Sequence, residues 1–223
     1  MLLVKKGLAR ININEFMQEV HANAVAHGWW DDPRPQGEVM ALIHSEWSEA
    51  LEEARAGRPM VWYACADQEE SHAENCDYMP PNVCKTDGPC AYREKKPEGI
   101  GMELADGCIR ILDFLAHVES GLNAENNSLE KLCEGIPRTE RHLALSECVA
   151  MLHWHTSIAY ALPTGSVKGK TTEDIVHTRV AHLYMALAVA CVWINENGGD
   201  AENIMRTKHE YNKGRGYKHG KKF

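Results

Sequence analysis

Two short acidic motifs, Glu46-Trp47-Ser48-Glu49 and Glu103-Leu104-Ala105-Asp106, are the residues of this chain best suited to chemistry. On a helix, residues three apart lie one above the other, so each motif puts two carboxylates on one side of its element. Four carboxylates brought together repel and hold protons unless a cation joins them, and a hard divalent ion takes oxygen ligands. The spacing therefore predicts a site for Mg²⁺, or Mn²⁺ in its place, with Glu46, Glu49, Glu103 and Asp106 as ligands. An isolated motif of this kind is more often a solvated helix face, so the expectation depends on two helices packing side by side.

The flanking residues supply such helices. At roughly 100° per residue, Ile43, Trp47, Ala50, Leu51 and Ala54 form an apolar stripe, with Glu46, Glu53 and Glu49 stepping away from one edge of it. Leu104, Ile111, Phe114, Leu115 and Val118 form a second stripe, flanked by Glu103, Asp106, Arg110, Asp113 and His117. Packing one stripe on the other brings the acids together. Helices are predicted over residues 38–56, stopped by Gly57-Arg58-Pro59, and over about 100–120, after Pro97-Glu98-Gly99. A first helix is expected over 14–27 with Asn14 as N-cap, followed by a turn-rich loop holding Trp29 and Trp30, one of them a platform on which a base can stack. Residues 139–162 and 175–195 read as two apolar packing helices, and 201–211 as a short helix leading into the tail.

Residues 60–98 lose periodicity and read as an insertion that collects Cys65, Cys76, Cys84 and Cys90, with His72 among them. In a reducing compartment disulfides are not expected, and these thiols offer ligands for a structural Zn²⁺, although none has the short CxxC spacing.

The composition of the 223 residues, 44% hydrophobic and 25% charged, is that of a globular protein. We expect one all-α domain over 1–223, with the insertion at about 60–98 and an extra helical segment at about 122–195. The longest apolar run, 183–194, is shorter than the roughly 20 residues of a membrane span. The first ten residues lack a signal peptide's apolar stretch, so a cytoplasmic protein without a membrane partner is expected. The net charge of −8 is unevenly spread: residues 206–223 hold seven Lys or Arg against Glu210, leaving 17 basic and 31 acidic residues, or −14, in 1–205. A body this acidic argues against a nucleic-acid polymer as partner. A cation in the body together with a basic tail suits a small phosphorylated ligand.

His27-Gly28-Trp29-Trp30, the 46–49 motif, the run Lys96-Pro97-Glu98-Gly99-Ile100-Gly101-Met102-Glu103-Leu104-Ala105-Asp106 and the tail Lys208-His209-Glu210-Tyr211-Asn212-Lys213, with Arg215, Tyr217, His219 and Gly220, resemble the MazG-like, all-α nucleoside triphosphate pyrophosphohydrolase superfamily. The resemblance covers about half of the chain. It implies a four-helix bundle in which ExxE and ExxD hold Mg²⁺, and hydrolysis of a nucleoside triphosphate to monophosphate and pyrophosphate. Carried onto this sequence, it makes Glu46, Glu49 and Glu53 catalytic, with Glu53 orienting water. Asp113 becomes an outer ligand and Arg110 a neutraliser of carboxylates. Lys208, Lys213 and Arg215 face phosphate, Tyr211 and Asn212 sugar or phosphate, and His27 and Trp30 the base. A homodimer is the implied assembly. Two departures stand out: the cysteine-bearing insertion lengthens the gap between the acid pairs, and residues 122–195 have no counterpart in the family pattern. A reading from another class is a non-catalytic helical module that binds a nucleotide or a protein and is stapled by zinc at its cysteine loop.

Overall fold

A computed structural model describes residues 11–64, 96–121, 127–137, 141–161 and 172–220. Helix α1 (Ile13–Ala26) has its cap two residues earlier than its periodicity predicts, because Asn12 is the N-cap: its side chain accepts the Glu15 N–H at 3.2 Å. Asn14, the expected cap, lies inside the first turn, and Ile13 ahead of it is already buried. Helix α2 (Gln36–Arg55) follows Pro35, whose fixed φ suits the position before a helix, and gives way to Gly57 at φ +70°.

Short antiparallel strands β1 (Trp62–Ala64) and β2 (Lys96–Glu98) then join the end of α2 to the start of α3 (Ile100–His117). The sequence gives no period-two signal for this ribbon, which occupies the two ends of the expected insertion. Cys65, Cys76, Cys84 and Cys90 lie outside the described residues. Between β2 and α3 the chain turns at Gly99, φ +113°, where a Cβ would stand 2.7 Å from the Pro59 carbonyl oxygen. Only glycine fits there, and the turn lets Gly101 N–H donate to the Met60 carbonyl at 2.9 Å. Helices α2 and α3 therefore run antiparallel.

Helix α4 (Leu129–Glu134), capped by Ser128, is too short to be seen in a periodicity. The two packing helices are α5 (Leu145–Ala161), which begins six residues later than expected, and α6 (Thr172–Glu196). Helix α7 (Ala201–Lys213) is capped by Asp200, and a 3₁₀ turn (Tyr217–Gly220) follows. The described residues are thus overwhelmingly helical, with seven α-helices and one two-stranded ribbon.

Helix α3 is the hub, packing on α1, α2, α6 and α7, while α5 lies on α2 and α6. Apolar residues from all seven helices form one buried cluster. Among the described residues only Val176–Glu196 is long and apolar enough to cross a membrane. That stretch is buried along Ala186 to Ile194 and lines the interior of the fold, as expected of a helix that is apolar on every side.

Candidate metal centre

Glycine brings the two acidic helices into contact. Trp47 of α2 lies flat against Gly107 of α3, where an added Cβ would come within 2.2 Å of the indole ring. The same indole donates Nε1–H to Thr156 Oγ1 of α5 at 3.1 Å. With the backbones this close, the flanks of the two stripes face each other. Glu46, Glu103 and Asp106 each offer a carboxylate oxygen, and these oxygens lie within 4.8 Å of one another. Glu46 and Glu103 are buried. Glu49, the fourth expected ligand, is not part of this trio. It is exposed one turn further along α2, on the wall of the same open cavity of about 600 Å³.

The acids have partners of their own. Arg110 donates Nε–H to Glu46 Oε1 at 2.6 Å. Lys208, reaching in from α7 and 1% exposed, places Nζ 2.9 Å from Asp106 Oδ2 and 3.9 Å from Glu103 Oε1, and donates to the Pro97 carbonyl at 3.4 Å. Asn212 donates Nδ2–H to Asp106 Oδ1 at 3.3 Å, and its own Oδ1 is buried without a hydrogen-bond partner. Three converging carboxyl groups thus meet two resident cations, with Glu49 one turn away on the cavity wall. Arg110 and Lys208 offset part of the acids' negative charge, a role that sequence spacing alone does not reveal for Lys208.

Burial dominates the electrostatics. It pushes the Glu46 carboxyl up to about 7, with Arg110 pulling the other way and Asp106 and Glu49 adding to the rise. It pushes Glu103 up to about 9, against the pull of Lys208 and with Asp106 adding to it. Lys208 is raised: burial opposes its charge, but Asp106 and Glu103 outweigh that opposition. At neutral pH Glu103 therefore holds a proton and Glu46 is poised near the middle of its titration, and a bound cation would favour the ionised form of both.

Several expected site residues lie elsewhere. Trp30 donates Nε1–H to both Asp113 oxygens, at 2.9 and 3.2 Å, and stacks on His117 with ring centroids 3.8 Å apart, so it braces α3 and does not line the cavity. Asp113 also meets His21 Nδ1 at 2.7 Å and lines the smaller cavity with Asp106 and Arg110. His27 donates Nδ1–H to the Asn23 carbonyl at 2.7 Å and closes α1. Lys213 pairs with Glu210 at 2.6 Å on the surface, and Tyr211 is half-buried and lines no part of the cavity. Glu53 does reach the cavity wall, but its Oε2 accepts the Trp62 Nε1–H at 2.7 Å. Lys208 is on the wall as well, its ammonium directed to the acids and the Pro97 carbonyl. Arg215 is on the wall too.

The tail is not a loose end. Lys208, His209 and Asn212 are buried in α7 against the body. Sequence reasoning passed over Arg34 and Arg58, and chose Trp30 where the adjacent Trp29 lines the cavity. A smaller cavity of about 80 Å³ shares Trp29, Asp106, Arg110 and Arg215 with the larger one. Three buried atoms of its lining residues have no hydrogen-bond partner: Arg34 Nη2, His209 Nε2 and Asn212 Oδ1. Burial lowers His209, and Lys213 lowers it further. Unpartnered buried donors and acceptors are rare in folded proteins, and three around one small space mark it as a place for a polar guest.

No protein-family model, curated protein or solved structure matches this chain.

Proposed function

We propose that this chain hydrolyses a nucleoside triphosphate to the monophosphate and pyrophosphate with the help of Mg²⁺, in a four-helix bundle made of α1, α2, α3 and α7. The observation that carries the reading is the convergence of Glu46, Glu103 and Asp106 within 4.8 Å on the wall of a cavity that shares lining residues with a second, smaller polar one. The donor set is all oxygen, and it includes two carboxyls whose pKa burial raises. Those are properties of a site that a hard cation completes. Glu46, Glu103 and Asp106 would hold the ion, with Glu49 at the open side. A bound Mg²⁺ supplies positive charge to phosphate oxygens and acidifies a coordinated water.

The side chains divide the remaining work. Glu49, exposed and facing the cavity, is the carboxylate left to accept a proton from attacking water, since Glu53 is engaged by Trp62. Arg110 holds Glu46 in place, and Lys208 with Asn212 fixes Asp106. Arg215 lines both cavities and suits an α-phosphate passing between them. The smaller cavity, with the Trp29 indole beside Arg34, His209 and Asn212, takes the base end. A panel of nucleoside triphosphates incubated with Mg²⁺ tests the reading. Release of pyrophosphate that is lost in Glu103→Gln supports it, and no turnover on any nucleotide defeats it.

The two internal ion pairs favour a second reading, because Arg110 and Lys208 can sustain a polar layer with no catalytic duty. Under that reading the chain binds a nucleotide without cleaving it, and the same panel shows affinity without product.

A further inference from the structure

The larger cavity shares Trp29 and Arg215 with the smaller one, and its wall also carries Glu53, near the end of α2, with Arg58 and Trp62 just beyond that helix. The cations along the wall are not equally engaged. Arg110 is committed to Glu46, Lys208 to Asp106, and Lys96 is paired with Glu98. Arg58 differs: its Nη1 is buried and has no hydrogen-bond partner among the described residues. Its guanidinium carbon lies 4.5 Å above the Trp62 ring, and Trp62 is itself pinned by Glu53 at 2.7 Å. A guanidinium stays charged at every relevant pH. A charged N–H withdrawn from water and given no acceptor is costly, and the cost is recovered only when an acceptor arrives. Aromatic stacking leaves the edge of the guanidinium, with its N–H groups, directed away from the ring and available to an anion.

We propose that Arg58 is a binding residue for the terminal phosphoryl group of a polyphosphate, aimed by Trp62, and that Glu53 is a positioning residue acting through that indole. The ligand's orientation follows: the base end at Trp29, the reacting phosphorus beside the acids, and the far phosphates against Arg58. The identity of the ligand as a nucleotide rests on the function proposed above. The anion site itself rests only on Arg58 and its surroundings.

Calorimetric titration of the full-length protein with inorganic triphosphate in the presence of Mg²⁺ tests this, with Mn²⁺ affinity followed by electron paramagnetic resonance as the control. Arg58→Ala should weaken triphosphate binding by about 10–100-fold, the range of a charge-assisted hydrogen bond, with Mn²⁺ affinity unchanged. Arg58→Lys keeps the charge, loses the fork, and should recover part of the loss. Glu53→Gln should weaken triphosphate by less, about 3–10-fold, and raise KM without moving the pH profile of kcat, whereas loss of a general base would move it. Triphosphate affinity unchanged in Arg58→Ala, or no triphosphate binding by the native chain, overturns the proposal. Arg58-dependent binding without hydrolysis sinks the enzyme reading and leaves the anion site standing. Hydrolysis with a KM indifferent to Arg58 does the reverse.

Discussion

The pair α2–α3 and the pair α5–α6 are both long helices packed along their lengths, yet they close their interfaces with opposite chemistry. Between α2 and α3 lie carboxylates whose burial raises their pKa values, set against an arginine and a lysine. Between α5 and α6 the contacts are mostly apolar, and the polar ones include Arg179 Nε–H donating to the Ala159 carbonyl at 2.7 Å and His155, whose Nδ1 meets His182 Nδ1 at 2.9 Å. A second such pair, His44 and His153 at 2.7 Å, joins α2 to α5. In each pair one nitrogen must donate and the other accept, so one ring keeps an unprotonated Nδ1. All four rings are pushed below the usual imidazole value, chiefly by burial, and His155 falls to about 4. One half of the molecule therefore buries groups that resist losing a proton, and the other buries groups that resist gaining one. Placing the charge-bearing interface beside the apolar one lets α6 supply the cohesion that the α2–α3 contact gives up.

The sharpest way to separate the halves is Glu103→Gln. It should reduce turnover on the order of 10²–10³-fold, comparable to removal of one electrostatic stabiliser, and weaken Mn²⁺ binding, while the melting temperature at pH 8 holds because Gln keeps the shape and neutrality of the protonated carboxyl. Loss of fold instead of metal affinity would mean that the acids are structural. Leu187→Ala in α6, at a fully buried position, should do the opposite. We expect a loss of about 2–5 kcal/mol in denaturant unfolding with Mn²⁺ affinity untouched.

Titration divides the halves more gently. With chelator present, the folded protein retains protons on Glu46 and Glu103 above pH 4.5 that the unfolded chain releases. Their stabilisation is therefore lost as pH rises through about 7 and about 9. Excess Mg²⁺ should remove this alkaline decline in melting temperature, and Glu103→Gln should shrink it. On the acid side, the histidine pairs bind fewer protons folded than unfolded. Stability present above pH 6.5 is lost as pH falls towards about 4, and His155→Gln should flatten that limb alone. If either substitution moved both limbs, the two interfaces would not titrate independently. The smallest effect belongs to Lys213→Ala, whose exposed pair with Glu210 is worth at most about 0.5 kcal/mol. KM should not change, in contrast to Arg215→Ala.

Helical spacing was enough to foresee that Glu46, Glu103 and Asp106 share a side, that α2 ends at Gly57, and that Arg110 sits among carboxylates, because i, i+3 and i, i+4 relations are local. It could not decide between Trp29 and Trp30. Adjacent residues in a turn point in different directions, and the choice is made by Asp113 and His117, which are more than eighty residues away. The same limit turned Lys208 from an expected phosphate ligand into a counterion, since its basic neighbours suggested an exposed tail while Asp106 and Pro97 draw it inward. Arg58 was hidden within a helix-stop signal, and its role depends on Trp62, a residue of a ribbon with no visible periodicity. The opening of α5 was misplaced for a simpler reason: residues 139–144 are polar and apolar in helical order, but His142 takes φ +56° and interrupts the turn.

Because Lys208 and Asn212 enter the acid cluster from α7, the last stretch of the sequence is a wall of the pocket and a source of its charge balance. Ending the chain near Gly199 would leave the Glu46, Glu103 and Asp106 trio short of one cation and open to solvent along its flank. A clone shortened there for convenience should yield a protein that swells with rising pH, and not a trimmed version of this one.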